Sequence, residues 1–349
     1  MKLSSLLITS GAVVLASAPL TIAQAKTTTL ESIKAPSAIT IDGVAESVWD
    51  SAPAVKMKLN KLPYKPNNGY PGIKKTTVEM KSVYDSEYIY FLITYKDPTE
   101  SMERYPWIKQ ADGTWKDMVK KDSTGHENTY YEDKFAILWD INADNFAKKG
   151  CNAACHRAKD GKIDGKPSKS PARKYTKEGQ TIDMWHWKGV RTNPNGQLDD
   201  QYIDSNTDAK KNKGWGRKGD HKTSGGYGYN KKDGQPEFIS ANMTATSPAI
   251  LDAEKMPIPK GFDKFDRIPN LVTAPFTGSR GDIATVGVWK DGVWTLEMKR
   301  KLITTGEKAT IQDVQFDDMD KVYPFGNAVF DNTQINHIYH RGVMALEFK

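Results

Sequence analysis

Cys151 and Cys155 are the only cysteines in a chain of 349 residues, and His156 follows directly. Two thiols with an adjacent histidine suit the covalent attachment of haem. The thiols add across the two porphyrin vinyl groups, and the imidazole reaches the iron as an axial ligand. The usual spelling is C-x-x-C-H, and Cys151-Asn-Ala-Ala-Cys155-His156 carries one more intervening residue. The competing reading is a local disulfide or a metal clip. A bridge across so short a loop constrains little of the unfolded chain, and it gives His156 no purpose. The pattern points to one haem c and to electron transfer.

The remaining histidines sort by setting. His337 and His340 compete for the second axial position, with a methionine or an open site as the other outcomes. Residues three apart on an extended segment face opposite sides, so one of the two should reach the iron. His186 lies in Met184-Trp-His-Trp187, where it either borders the haem or sits in an aromatic core strand satisfied by backbone. Arg191 follows the same motif, and its guanidinium fork suits a propionate. His126 and His221 belong to polar loops and read as solvated. Met80, Met118 and Met184 are sulfur candidates, although a buried methionine is more often core. Asp199-Asp200 and Asp317-Asp318 read as solvated carboxylate pairs in loops. The chain has no G-x-S-x-G elbow, H-E-x-x-H helix or P-loop.

The elements that must position these groups read mainly as strands. Thr77–Tyr84 and Tyr88–Tyr95 flank a turn at Asp85-Ser86-Glu87 and form a hairpin. Lys134–Trp139 is a short apolar run of buried-strand type. Ile283–Trp289 and Val293–Met298 flank Asp291-Gly292, another hairpin signal. Ala328–Phe330 and Val343–Phe348 add two strands. Helical periodicity is weak, so an antiparallel β-sandwich is the expected architecture. Residues 193–236 are polar, with few aliphatic side chains, and read as a long insertion over the haem face or a flexible excursion.

Residues 1–25 carry a secretory signal: Lys2, an interrupted apolar run, and Ala23-Gln24-Ala25 as the cleavage site. That run is too broken to span a membrane, and no other window reaches 18 apolar residues. The expected product is a soluble periplasmic protein with a single domain over residues 26–349. The formal charge of +7 is spread through lysine-rich loops and serves solubility and weak steering toward an acidic partner. No nucleic-acid motif is present.

Several segments together resemble a known family. Ser37–Gly43 with Glu46 and Trp49 resembles the opening strand of sandwiches related to family 9 carbohydrate-binding modules. Tyr131–Asp140, Asp183–Lys188, Asp291–Leu302 and Phe325–Asp331 resemble the haem-binding domain of the ethylbenzene dehydrogenase γ-subunit and related dimethyl sulfoxide reductase-type haem subunits. The likeness runs from about residue 35 to the C-terminus.

The resemblance implies an immunoglobulin-like β-sandwich that holds one haem b. Such a subunit carries electrons between a molybdopterin oxidoreductase and an external acceptor such as a membrane cytochrome. In that family a methionine before the tryptophan-rich motif and a lysine near the C-terminus ligate the haem. This chain departs at both places. Cys151–His156 occupies the methionine's neighbourhood, and His337 and His340 occupy the lysine's. His340 lies nearer the lysine's place and is the favoured second ligand. The resulting expectation is a covalent, bis-histidine haem relay that turns over no substrate. Two other readings compete. One is a carbohydrate-binding module using Trp215, Tyr227 and Tyr229, and the other is a five-coordinate haem enzyme or sensor.

Overall fold

A computed structural model describes residues 28–63, 69–156 and 173–349, with the backbone of residues 158–159, 162–163 and 166–167 between them. The expected secretory segment, residues 1–25, lies outside the described residues. Thirteen strands build one sheet: β1 (Thr28–Lys34), β2 (Val55–Leu59), β3 (Thr76–Tyr84), β4 (Tyr88–Lys96), β5 (Lys134–Asp140), β6 (Ile182–Lys188) and β7 (Asp199–Ile203). They continue with β8 (Arg217–Gly219), β9 (Ala284–Lys290), β10 (Val293–Lys301), β11 (Tyr323–Phe330), β12 (Ile338–Tyr339) and β13 (Met344–Phe348). The order is β8-β7-β6-β5-β11-β13-β1-β3-β4-β10-β9, with β2 on β3 and β12 on β11.

Both expected hairpins form, and their turns explain why. Asp85 Oδ1 accepts from the backbone N–H of Glu87 and Tyr88 at 2.8 and 2.7 Å, closing the β3–β4 turn. Asp291 and Gly292 both take positive φ, 51° and 79°. That is the two-residue geometry matching the twist of β9 and β10. One pairing differs from an all-antiparallel expectation. β1 runs parallel to both β13 and β3. The long connection from β1 to the β3–β4 hairpin supplies the crossover that parallel pairing requires.

The sheet folds back on itself into two layers, the expected mainly β sandwich. Inward side chains of β4 and β10 meet those of β5, β6 and β11. Phe91 lies 5.8 Å from Trp139 and 5.6 Å from Trp185, and Trp187 lies 4.9 Å from Trp294, between ring centroids. Trp139 also packs on Phe325 at 4.7 Å and Phe316 at 5.2 Å. The β9 edge is covered by the turn after β6. Thr285 N–H donates to Gly196 at 2.9 Å, and Asn193 exchanges bonds with Gly287 at 2.7 and 2.9 Å. Covering that edge removes a row of unpaired backbone groups.

Residues 193–236 contain β7, β8 and the strand Ser224–Tyr229, which pairs with Leu271–Thr277. The Asp199-Asp200 pair is therefore not a solvated loop pair. Both carboxylates are buried on β7, because alternation there turns each onto a covered face.

Candidate functional site

Strand alternation gives β5, β6 and β11 a second apolar face, turned away from the sandwich core. Its register can be followed across the sheet. His186, Ala136, Ala328 and Tyr339 form one row. Lys188, Lys134 and Phe330 form the next, and Met184, Leu138 and Gly326 lie on the other side. The middle row carries the small residues Ala136 and Ala328, and the row of Met184 and Leu138 ends in Gly326, so the face is troughed. His186 and Met184 stand on one flank and Tyr339 on the other.

The cysteine turn covers this trough. A short helix (Phe146–Lys149) leads into a 3-10 turn (Gly150–Ala153), and Cys155 N–H donates to the Cys151 carbonyl at 2.8 Å. One turn thus presents both thiols to one side. Cys151 and Cys155 are free thiols, each 4% exposed. They pack with Ala136, Leu138, Met184, Ala328 and Phe330. Gly326 is required beneath them, since a Cβ there would lie 2.6 Å from Cys151 Sγ. Burial pushes both thiols upward in pKa, Cys151 most, with Cys155 beside it adding to the shift. A thiol held protonated is a poor thiolate nucleophile and a poor redox-active one.

His156 takes a left-handed backbone, φ 56°. Its ring stacks on Tyr339 at 4.5 Å and 20°, and lies 5.2 Å from His337 between centroids. His337 in turn lies 4.7 Å from Phe330, which lies 5.7 Å from His186. Burial, assisted by Lys174, pushes His156 down to about 3. Burial also drives His186 and His337 well below the ordinary histidine value. All three imidazoles are therefore neutral at pH 7, the form that ligates metals.

His337 Nδ1 is 2.8 Å from the Ile335 carbonyl oxygen. A carbonyl can only accept, so Nδ1 carries the proton and Nε2 keeps its lone pair, as in oriented ligand histidines. His340 sits elsewhere. It is partly exposed, its Nδ1 lies 3.3 Å from the Lys58 carbonyl, and its Nε2 abuts Gly342, where a Cβ would approach to 2.6 Å. The ring brought to His156 is that of His337.

His186 is buried, and neither ring nitrogen has a hydrogen-bond partner among the described residues. Leaving such a group unsatisfied costs roughly 1–3 kcal/mol. Cations surround it. Lys188 pairs with Asp199, and Arg191 pairs with the buried Glu132. Arg191 is thus already held by a carboxylate inside the chain. Lys134 is buried, and its Nζ donates to the Gln334 carbonyl at 3.1 Å and faces the Phe330 ring at 4.4 Å. No carboxylate lies within ion-pair distance of Lys134 among the described residues, and burial drives its pKa well down.

Free thiols, neutral imidazoles, an apolar trough and a buried lysine amine facing it form a donor set that fits a covalent haem with acidic propionates. Tyr339 and Lys134 were not read from the sequence. Tyr339 stands between the two competing histidines, and strand alternation around it was the available signal.

Of the sulfur candidates, Met184 lies in this trough and Met80 in the inner core, where its Sδ is 3.7 Å from Asn327 Nδ2. The three aromatics of the sugar-binding reading each contact neighbours within the chain. Trp215 packs on Tyr175 and Arg173, Tyr227 on Phe276 and Arg191, and Tyr229 on Tyr105. Among the described residues, no helix is long and apolar enough to cross a membrane.

The sequence model of a family described as ethylbenzene dehydrogenase matches residues 46–342. No curated protein matches the chain. Among solved structures, a family 9 carbohydrate-binding module from Caldicellulosiruptor kristjanssonii in complex with cellotriose is 10% identical, with 92% of this chain and 94% of that one covered and a TM-score of 0.33. The same module with glucose is 10% identical, with 91% and 95% covered and a TM-score of 0.32. Scores this low bear on neither ligand nor activity.

Proposed function

The chain belongs to the ethylbenzene dehydrogenase family, and from that premise we propose that it is an exported electron-relay subunit holding one covalent haem c. The observation that carries this reading is the convergence of two free buried thiols and the His156–His337 pair over one apolar trough. Cys151 and Cys155 would hold the haem as thioethers, His156 would be its first axial ligand, and His337 its second. When bound, the haem supplies a one-electron couple.

The chain's own residues do the rest. Burial keeps the imidazoles neutral, and the Ile335 carbonyl orients His337. The outer-face side chains of β5, β6 and β11 exclude water. Lys134 and His186 offer buried polar contacts for propionates. Membership of that family supports association with an oxidoreductase complex, and the proposed partners are a molybdopterin oxidoreductase's subunits and an external redox protein, met in the periplasm.

The test is the visible spectrum of protein expressed with a cytochrome c maturation system. A reduced low-spin α-band that carbon monoxide does not shift supports the relay. A high-spin, carbon monoxide-binding spectrum would replace it with an enzyme or sensor. Absence of haem would return the chain to the binding-module reading.

A further inference from the structure

The inward face of the same strands ends in carboxylates rather than apolar groups. Asp97 follows β4, Asp133 precedes β5 and Asp331 follows β11, so three strand ends converge at one pole of the sandwich. All three are buried, and one oxygen from each lies within 4.8 Å of the others. Calcium binds oxygen ligands at about 2.3–2.6 Å, so two ligands of one ion lie at most about 5 Å apart. The spacing suits a shared ion.

Hydrogen bonding fixes these carboxylates without filling them. Asp133 accepts from Ser101 N–H and Asn332 N–H, each at 2.8 Å, and from Trp294 Nε1 at 3.2 Å. Asp331 accepts from Ile73 N–H at 2.8 Å. Asp97 Oδ1 accepts from Thr99 N–H at 3.2 Å, whereas its Oδ2 has no partner among the described residues.

A second observation is independent of the acids. Tyr95 stands two residues before Asp97 on β4, so alternation turns both to the same face. Its ring stacks on Phe135 at 5.8 Å, and the residue is 2% exposed. Its hydroxyl has no partner among the described residues, and the nearby charges it feels are those of Asp133, Asp97 and Asp331. A buried hydroxyl left unpaired is costly, and a fourth oxygen aimed at three carboxylates is explained by a ligand between them.

Asp200, Asp220 and Asp313 form a comparable triad. There Arg300 already supplies an internal cation, 3.8 Å from Asp313 and from Asp183. At the first triad the cation nearby is Lys74, beside Asp331.

We propose that Asp97, Asp133, Asp331 and the Tyr95 hydroxyl bind one hard divalent cation, calcium by preference. Oxygen-only donors disfavour the softer transition metals. A buried cage of protein oxygens also suits calcium better than magnesium, which keeps several waters. The ion would pin the ends of β4, β5 and β11. The outward neighbours Lys134 and Phe330 face the trough, so the ion site backs directly onto the proposed haem site.

The experiment uses the full mature protein, stripped with EDTA and dialysed, and titrated with calcium chloride by calorimetry while thermal unfolding is followed. One calcium per chain and a rise in unfolding midpoint with calcium are expected. Asp97→Asn should weaken calcium affinity tenfold or more, and Tyr95→Phe severalfold. Asp220→Asn, at the other triad, should leave the affinity unchanged. Absence of calcium binding to the wild type, or full affinity in Asp97→Asn, would overturn the proposal. Should Asp97→Asn fail to fold, undiminished affinity in Tyr95→Phe overturns it. Neither readout involves haem, so the two sites stand or fall separately.

Discussion

At the scale of single residues, the proposed second axial ligand separates the sequence reading from the geometry. Distance from the C-terminus favoured His340, but nothing in spacing reveals that the chain turns inward at Asn336-His337. The structure sets His337 against His156 and turns His340 toward Lys58 and Gly342. His337→Ala should therefore give a high-spin haem that binds carbon monoxide, while His340→Ala keeps the low-spin spectrum. The opposite pattern would restore His340. His186 and Arg191, named from one tryptophan-rich motif, part company in the structure. Arg191 is bound to Glu132, whereas both nitrogens of His186 are unpartnered among the described residues.

At the scale of elements, β3–β4 and β9–β10 were legible because their turns carry local chemistry, an Asx turn at Asp85 and a positive-φ pair at Asp291-Gly292. β5 was legible from its apolar run. The parallel seating of β1 between β13 and β3 was not, because it depends on partners more than 40 residues away or at the other terminus. β7 and β8 were hidden for a related reason. Their buried side chains include Asp199, Asp200 and Gln201, which imitate a loop in composition. The two-faced strands β5, β6 and β11 tie core to site. Trp139 on the inner face touches Phe91, Trp185, Phe316 and Phe325. Trp139→Ala should cost about 3–5 kcal/mol, read as a lowered urea midpoint. A loss below about 1 kcal/mol would mean that the inner layer does not pack as described.

For the whole molecule, buried charge sets a pH dependence. Asp220 is raised to about 9, first by burial and then by Asp313 and Asp183. A carboxyl whose folded pKa exceeds its unfolded value of about 3.9 keeps its proton in the folded state alone. Its contribution therefore falls as pH rises through that window. The depressed histidines act oppositely, and their contribution is lost as pH falls from about 6.5 toward the value near 3 for His156. Asp220→Asn removes that carboxyl from the cluster. Its stability relative to wild type should increase between pH 5 and pH 9, and an unchanged pH slope would refute the assignment. The proposed relay requires Cys151 and Cys155 to carry haem. Its most direct test is the intact mass of the denatured protein after co-expression with the maturation system. One haem should remain covalently bound to a chain lacking residues 1–25, and Cys151→Ala/Cys155→Ala should lose it. A wild-type mass without haem would contradict the account.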